Sequence, residues 1–388
     1  MLTPEYLLHV SEGAERISAQ LHTDILKRIT ARILARQRRG DDYILTAADK
    51  WQIEVLMDAG HLRDDVAREI ALATSLQEEE IRDAFEDAGV RAWNYDSRIY
   101  KAAGLPVSEM SPYMVRLMQR NYEATLGEWS NFTRTTLDAS QQLFISKMDE
   151  IYNNVASGSI GYTQAFAEAI DDLAADGVRN IAYTRLRDGM LSVHTDTIET
   201  ATLRCIRTGI SQASAQIQTA RMDEMGVDLV LVSSHMGARP SHQVWQGKIY
   251  SRSGTSQKYP DFVSSTGYGT GAGLCGWNCR HNFSPWFEGM DNPFERYDAE
   301  ENKKVYDDTQ KQRSMERGIR KTKRQEQVLR YGAQAAQNAQ TRDDLNERLS
   351  RVRKRLNAQN EAYRAFCEGH DLRPLEERLR IAKVNRRR

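Results

Sequence analysis

Through most of the chain, apolar residues recur at steps of three and four, the spacing that lines one face of an α-helix. Met114, Leu117, Met118, Tyr122, Leu126 and Trp129 form one such stripe. Ser111-Pro112 stands just ahead of it, an N-cap followed by proline in the first turn, where its missing donor costs nothing. Phe144, Met148, Ile151, Tyr152 and Val155 carry the same spacing into a following helix. Thr46-Ala-Ala-Asp49 and Ser75-Leu-Gln-Glu78 have the spacing of capping boxes, in which a hydroxyl and a carboxylate satisfy free backbone N–H groups. Gly158, Gly161, Gly177 and Gly226 fall where helices should stop. A long helix is predicted from about Asn180 to Met225, with His194 inside it and Cys205 as a small buried hydrophobe. Residues 1–226 are thus expected to be a helical N-terminal region.

The pattern changes at Val227. Val227-Asp-Leu-Val-Leu-Val232 alternates and is β-branched, which predicts a strand, and Val244 to Tyr250 is a second candidate. From Ser251 to Gly276 glycine, serine and threonine dominate, so irregular loops are expected. Residues 227–291 therefore form a compact α+β block. After Asn292 the helical spacing returns. Leu345, Leu349, Val352, Leu356, Tyr363 and Phe366 follow a short coiled-coil seam, with Thr341-Arg-Asp-Asp344 capping its start. The expected fold is mainly α with a small α+β domain: a long helical region, a compact Cys/His-containing domain, and a helical basic tail over 292–388.

Composition sharpens this picture. Of 388 residues 28% are charged and 40% hydrophobic, and only 8 are proline, a balance that suits extended helices. No run approaches the ~18 apolar residues of a membrane span, and Met1-Leu2-Thr3-Pro4-Glu5 lacks the features of a signal peptide. Four cysteines are too few and too scattered for a disulfide framework, which points to assembly in a reducing cytoplasm. Net charge is zero, from 54 basic and 54 acidic residues. The segment Lys311 to Arg388 nevertheless holds 22 Lys plus Arg against 10 Asp plus Glu, a net of +12 that leaves −12 for the rest. Such a tail either meets an acidic partner, nucleic acid among them, or solvates a helical face. Arg351, Arg353, Lys354 and Arg355 are its densest cluster, and Arg386, Arg387 and Arg388 end it. Contact with DNA through these residues would be independent of sequence, since neutralising phosphates needs only Lys and Arg.

Candidate chemistry is confined to the α+β block. His235, His242, Cys275, Cys279 and His281 lie within 47 residues of one another. Imidazole and thiolate are the ligands of tetrahedral zinc, which needs four, so four of these five are expected to converge. The spacings H-x6-H and C-x3-C-x-H are not those of a standard finger. The alternative is buried cysteines, hydrogen-bonded histidines and glycines that turn the chain. Gly267-Tyr-Gly-Thr-Gly-Ala-Gly273 has neither the preceding strand nor the following lysine of a phosphate-binding loop. H-E-x-x-H and G-x-S-x-G are absent. A Cys279/His nucleophile pair is arithmetically possible, with nothing to single it out.

The block also carries a resemblance. Ser234-His-Met-Gly-Ala-Arg-Pro-Ser-His-Gln-Val-Trp-Gln-Gly-Lys-Ile-Tyr-Ser251 closely resembles the hallmark of the phage minor capsid protein family. So do Tyr259-Pro-Asp-Phe262, the run from Ser265 to His281, and Pro285-Trp-Phe-Glu-Gly289. Arg239, Trp245, Gly247, Gly269, Gly271, Gly273, Asn278 and Arg280 fall within this signature as scaffold residues. The family is similar in turn to head-morphogenesis proteins typified by the F protein of phage Mu. There an Arg-x-x-His segment is followed by Cys-Arg-Cys. Arg239-Pro-Ser-His242 and Cys279-Arg-His281 stand in the matching places, with an imidazole replacing the second thiolate, an exchange that preserves a ligand. Cys275 lies outside that wider pattern. The resemblance implies a structural protein of the virion, acting at the portal and inner head in head morphogenesis, DNA packaging or DNA delivery. Its partners would be the portal, other head proteins and viral DNA, with zinc as the possible metal and no membrane. A competing expectation is a phage-borne nuclease or toxin-like transferase using residues 233–289, for which Arg239, His242, Arg280 and His281 have suitable chemistry. No paired carboxylates accompany these histidines. A host DNA-binding regulator is a third, for which no recognition helix stands out.

Overall fold

A computed structural model of the chain describes residues 1–38, 40, 48–107, 109–179, 181–187 and 190–381. In chain order the helices are α1 (Pro4–His9), α2 (Glu12–Gln37), α3 (Ala48–Ala102), α4 (Pro112–Ala156) and α5 (Tyr162–Asp176). The strands β1 (Ile181–Arg187) and β2 (Met190–Asp196) follow, then α6 (Ile198–Glu224) and β3 (Leu229–Val232). Next come α7 (Pro240–Gln243), β4 (Ile249–Ser251), α8 (Phe262–Thr266) and β5 (Phe283–Pro285). The chain continues with α9 (Ala299–Ala335), α10 (Ala339–Gly369) and a 3-10 turn at Glu376–Leu379. It divides into two compact units, each built from three separate stretches. The first comprises Met1–Ala14, Gln77–Ser130 and Thr202–Lys311, the second Glu15–Leu76, Asn131–Ala201 and Gln312–Arg388.

The second unit is a helical core. Ile25, Ile29 and Ile33 of α2 pack with Val55, Leu62 and Val66 of α3, Phe144 and Met148 of α4, and Phe166 and Ile170 of α5. Leu345, Leu349 and Val352 of α10 join the same core, so the predicted seam finds its partners within this unit. A buried polar group ties three stretches together. His22 faces the Glu199 carboxylate at 3.0 Å and receives the Val178 N–H on Nε2 at 2.8 Å, while Arg324 bonds Glu199 at 2.8 Å.

In the first unit β3 is the middle strand of an antiparallel sheet of order β4-β3-β5. Val230, Val232, Tyr250, Phe262 and Phe283 make its apolar centre, against Ala215 and Met222 of α6. A further cluster joins Leu2 and Leu7 to Ile81 and Phe85 of α3 and Ile206 and Ile210 of α6. The predicted stripe on α4 is realised, with Met114 and Trp129 buried, and Ser111 caps the helix by accepting the Met114 N–H.

Several expectations need correction. The helix predicted from Asn180 begins only at Ile198, because β1 and β2 form an antiparallel hairpin with Arg187 opposite Met190. His194 therefore lies on a strand. The stripes at 114–129 and 144–155 belong to the single helix α4. Ser75-Leu-Gln-Glu78 caps nothing, since α3 runs through it with Gln77 fully buried, so packing overrides the local signal. Thr46 of the other capping box lies outside the described residues. Gly161 starts a helix rather than stopping one. The cap of α10 is Asn338, whose side chain accepts the Thr341 N–H at 3.0 Å. Val244–Gly247 is a turn, and the second strand is shortened to Ile249–Ser251.

Candidate metal centre

The site is set by strand pairing. Val232, the last residue of β3, is paired with Phe283, the first of β5, and the Ser233 N–H bonds the Asn282 carbonyl at 2.9 Å. The residues just past these strand ends must therefore lie side by side. His235 and His281 do, with rings stacked at 4.4 Å between centroids. His242 comes from α7, where Arg239 is the N-cap and Pro240 occupies the first turn, as a residue without an N–H can. Cys279 ends the glycine-rich loop that returns from α8 to β5.

These elements bring His242, Cys279 and His281 together. Each presents a ligand atom within 4.8 Å of the other two, and all three residues are buried. The Cys279 Sγ lies 3.7 Å from Nδ1 of His242 and 3.7 Å from Nδ1 of His281. The far nitrogens are committed. Nε2 of His242 is 2.8 Å from the Ala272 carbonyl oxygen, which can only accept, so that nitrogen carries the proton. Nε2 of His281 is 2.9 Å from Oε1 of Gln246, an oxygen that also receives the His235 N–H at 3.0 Å and so is fixed as an acceptor. Both Nδ1 lone pairs consequently face the thiol. A carbonyl behind a ligating imidazole is the usual support of a metal site, holding tautomer and ring orientation. Tetrahedral zinc with bonds of about 2.3 Å to sulfur and about 2.1 Å to nitrogen separates S from N by about 3.6 Å. The two sulfur-to-nitrogen spacings fit that ion, and the trio supplies three of its four ligands.

Electrostatics keep the group uncharged. Burial lowers the His242 imidazole to about 4; the Ala272 carbonyl opposes this and the Arg239 charge adds to it. Burial also takes His281 well below its ordinary value, helped by His235 and His242. Burial pushes the Cys279 thiol up, against backbone hydrogen bonds at His281 and Cys275 and the charges of Arg239 and Arg280. Neutral imidazoles are ready ligands, and a cation entering among them would draw the thiol proton off.

Of the five predicted ligands, His235 and Cys275 stand outside this trio. Nδ1 of His235 lies 3.0 Å from the Met236 carbonyl and 3.3 Å from Arg280. The buried Cys275 thiol points to the His281 carbonyl at 3.7 Å. The scaffold residues shape the loop. Cys275 and Asn278 adopt positive φ, at 58° and 55°. A Cβ on Gly273 would meet the Gly267 carbonyl oxygen at 2.0 Å, and one on Gly271 would meet the Trp277 ring at 2.7 Å. Gly247 and Gly269 also have positive φ. Trp245 is buried against both His242 and His281, with ring centroids 4.6 and 4.8 Å away. Arg239 donates to the Trp277 carbonyl at 3.3 Å. Gln246, which orients His281, was missed as a site residue, although it lies inside the quoted signature.

On α10, Arg351 pairs with Glu347 at 2.8 Å, Arg353 with Glu326 at 3.1 Å, and Arg355 bonds Gln325. Lys354 is exposed. Arg386, Arg387 and Arg388 lie outside the described residues.

Among the described residues no helix is long and apolar enough to cross a membrane. A helix-dominated chain with this Cys/His-bearing sheet block has a relative among the structural proteins of phages. It is 24% identical over 284 residues to a protein described as "Structural protein" from Lactococcus phage LL-H, covering 71% of this chain and 76% of that one. The model of the family "Phage minor capsid protein 2" matches residues 2–367. The chain belongs to that family, and its place is among virion components. No solved structure matches it.

Proposed function

We propose that this minor capsid protein acts at the portal vertex and inner head, in head morphogenesis and in the packaging or delivery of DNA. The observation that carries this is the family match along nearly the whole chain. It is supported by a strongly basic last fifth, net +12 from Lys311, which suits a neighbourhood of packaged DNA. Within the signature block His242, Cys279 and His281 would hold zinc through three protein ligands, and the ion would supply a cross-link between α7 and the loop before β5. Neighbouring residues fix the geometry: Ala272 and Gln246 orient the imidazoles, and Trp245 covers them. The zinc staples a loop too rich in glycine to hold itself by apolar packing. No catalytic role is assigned, because every nitrogen of His242 and His281 is directed to a carbonyl or to the buried thiol.

Cross-linking mass spectrometry of purified particles tests the location. Links from this chain concentrated on the portal protein are expected; links confined to the outer capsid surface would overturn the assignment. Metal analysis of the purified chain tests the staple. About one zinc per chain is expected, with a chelator speeding hydrogen exchange over residues 233–285 and leaving the second unit unchanged. A metal-free chain whose exchange ignores chelator and added zinc would remove the metal.

A further inference from the structure

A polar cleft of about 600 Å³ opens in the second unit, within the range of about 300–1,000 Å³ usual for ligand sites. It is bounded by α2, α9, Leu356 of α10 and the turn at Glu376–Leu379. Its charged lining is Arg16, Lys323, Arg330 and Arg380, against Glu326 and Glu377. The carboxylate of Glu326 is already engaged, by Arg353 at 3.1 Å and Arg330 at 3.6 Å. Arg16 and Arg380 have no carboxylate partner among the described residues. Lys323 is anchored by donating to the Leu379 carbonyl at 2.7 Å, and burial lowers its pKa. Cations converging on one partly enclosed space repel one another, and an anion between them turns that repulsion into attraction. Three of the four are arginines, whose planar guanidinium matches two oxygens of one phosphate.

We propose that this cleft binds phosphate groups, supplied in the virion by the phosphodiester backbone of DNA. The proposal rests on the DNA-contact reading above and moves its centre. Arg351, Arg353 and Arg355 of α10 are engaged by Glu347, Glu326 and Gln325, and Arg330 shares Glu326, so the cleft is the stronger anion site through Arg16, Lys323 and Arg380, with Arg353 at its rim.

The full-length chain is titrated onto a fluorescently labelled duplex of about 20 base pairs at low and moderate salt, and separately with inorganic tripolyphosphate by calorimetry. The variant pair is Arg16→Gln with Arg330→Gln. Both side chains are exposed, and Glu326 keeps Arg353, so the fold is retained. The expected result is a loss of about tenfold or more in duplex affinity and a salt slope shallower by about 2, at roughly 0.9 per phosphate. Tripolyphosphate binding should be lost in parallel. Arg351→Gln with Lys354→Gln should change duplex affinity by less than about threefold. If the second pair abolishes duplex binding and the first does not, the cleft falls while DNA contact stands. Tripolyphosphate bound in the cleft with no duplex binding keeps the phosphate site and removes DNA as its source. Neither probe bound by the unmodified chain overturns both.

Discussion

With only a hydrogen at Gly273, the chain can pass within contact of the Gly267 carbonyl, and this close approach lets the loop carry Cys279 to His242. Gly273→Ala should therefore lower stability by about 1–3 kcal/mol or more, as overpacking does, and reduce zinc occupancy with it; an unchanged melting curve would show that the loop has slack. Cys279→Ser should lose most of the bound metal, since a hydroxyl replaces the one thiolate of the trio, and the chelator effect on residues 233–285 should vanish with it. Cobalt-loaded protein offers a direct readout, because the sulfur-to-cobalt absorption disappears in the variant. The meeting of His242, Cys279 and His281 was legible in the sequence, since residue type and family spacing survive any detail of folding. The roles of Gln246 and the Ala272 carbonyl were not. A carbonyl has no sequence signature, and a glutamine declares its partner only when strand pairing has placed it.

At the scale of elements, helix periodicity succeeded where one helical face is buried and failed where local turn chemistry decides. Asp188-Gly189 lies between the paired strands β1 and β2, and that dipeptide is a strong two-residue hairpin signal. Reading through it extended α6 backwards across the whole hairpin. The third strand, Phe283–Pro285, was missed because three residues are too few for alternation to register. Conversely, the seam of α10 was legible, while its partner was not: the sequence suggested another helix of a coiled coil, and the structure supplies the core of the second unit. Leu345→Ala should accordingly cost about 2–5 kcal/mol, the range for emptying a buried leucine site. Arg351→Ala, which breaks only an exposed pair with Glu347, should change stability by less than about 1 kcal/mol in the same denaturant titration.

Across the molecule, the two units should respond to different conditions. Burial and the Arg324 charge hold His22 below its ordinary value, with Glu199 opposing and Arg179 adding to the shift. Burial raises the Glu199 carboxyl, but His22 and Arg324 outweigh it and hold it well below the usual range. In both cases the unfolded chain binds protons more readily than the folded one, so stability is present above the unfolded pKa and lost on acidification. Lowering the pH through about 6.5, and again below about 4.3, should thus loosen the second unit. Hydrogen exchange rising first in α2 and α9 is the expected signature, while the chelator acts on the first unit. Arg324→Met should cost about 3–5 kcal/mol by stranding a buried carboxylate. The composition of each unit from three distant stretches also bears on how the protein is made. Ribosomes deliver roughly 5–20 residues per second, so Ile25, Ile29 and Ile33 must wait many seconds before Leu345 and Leu349 emerge to cover that core. During translation the second unit is a set of sticky, half-covered helices. Its completion waits for the stretch from Gln312 onward, and a nonsense fragment ending before residue 312 should go to the host's chaperones and proteases rather than into a particle.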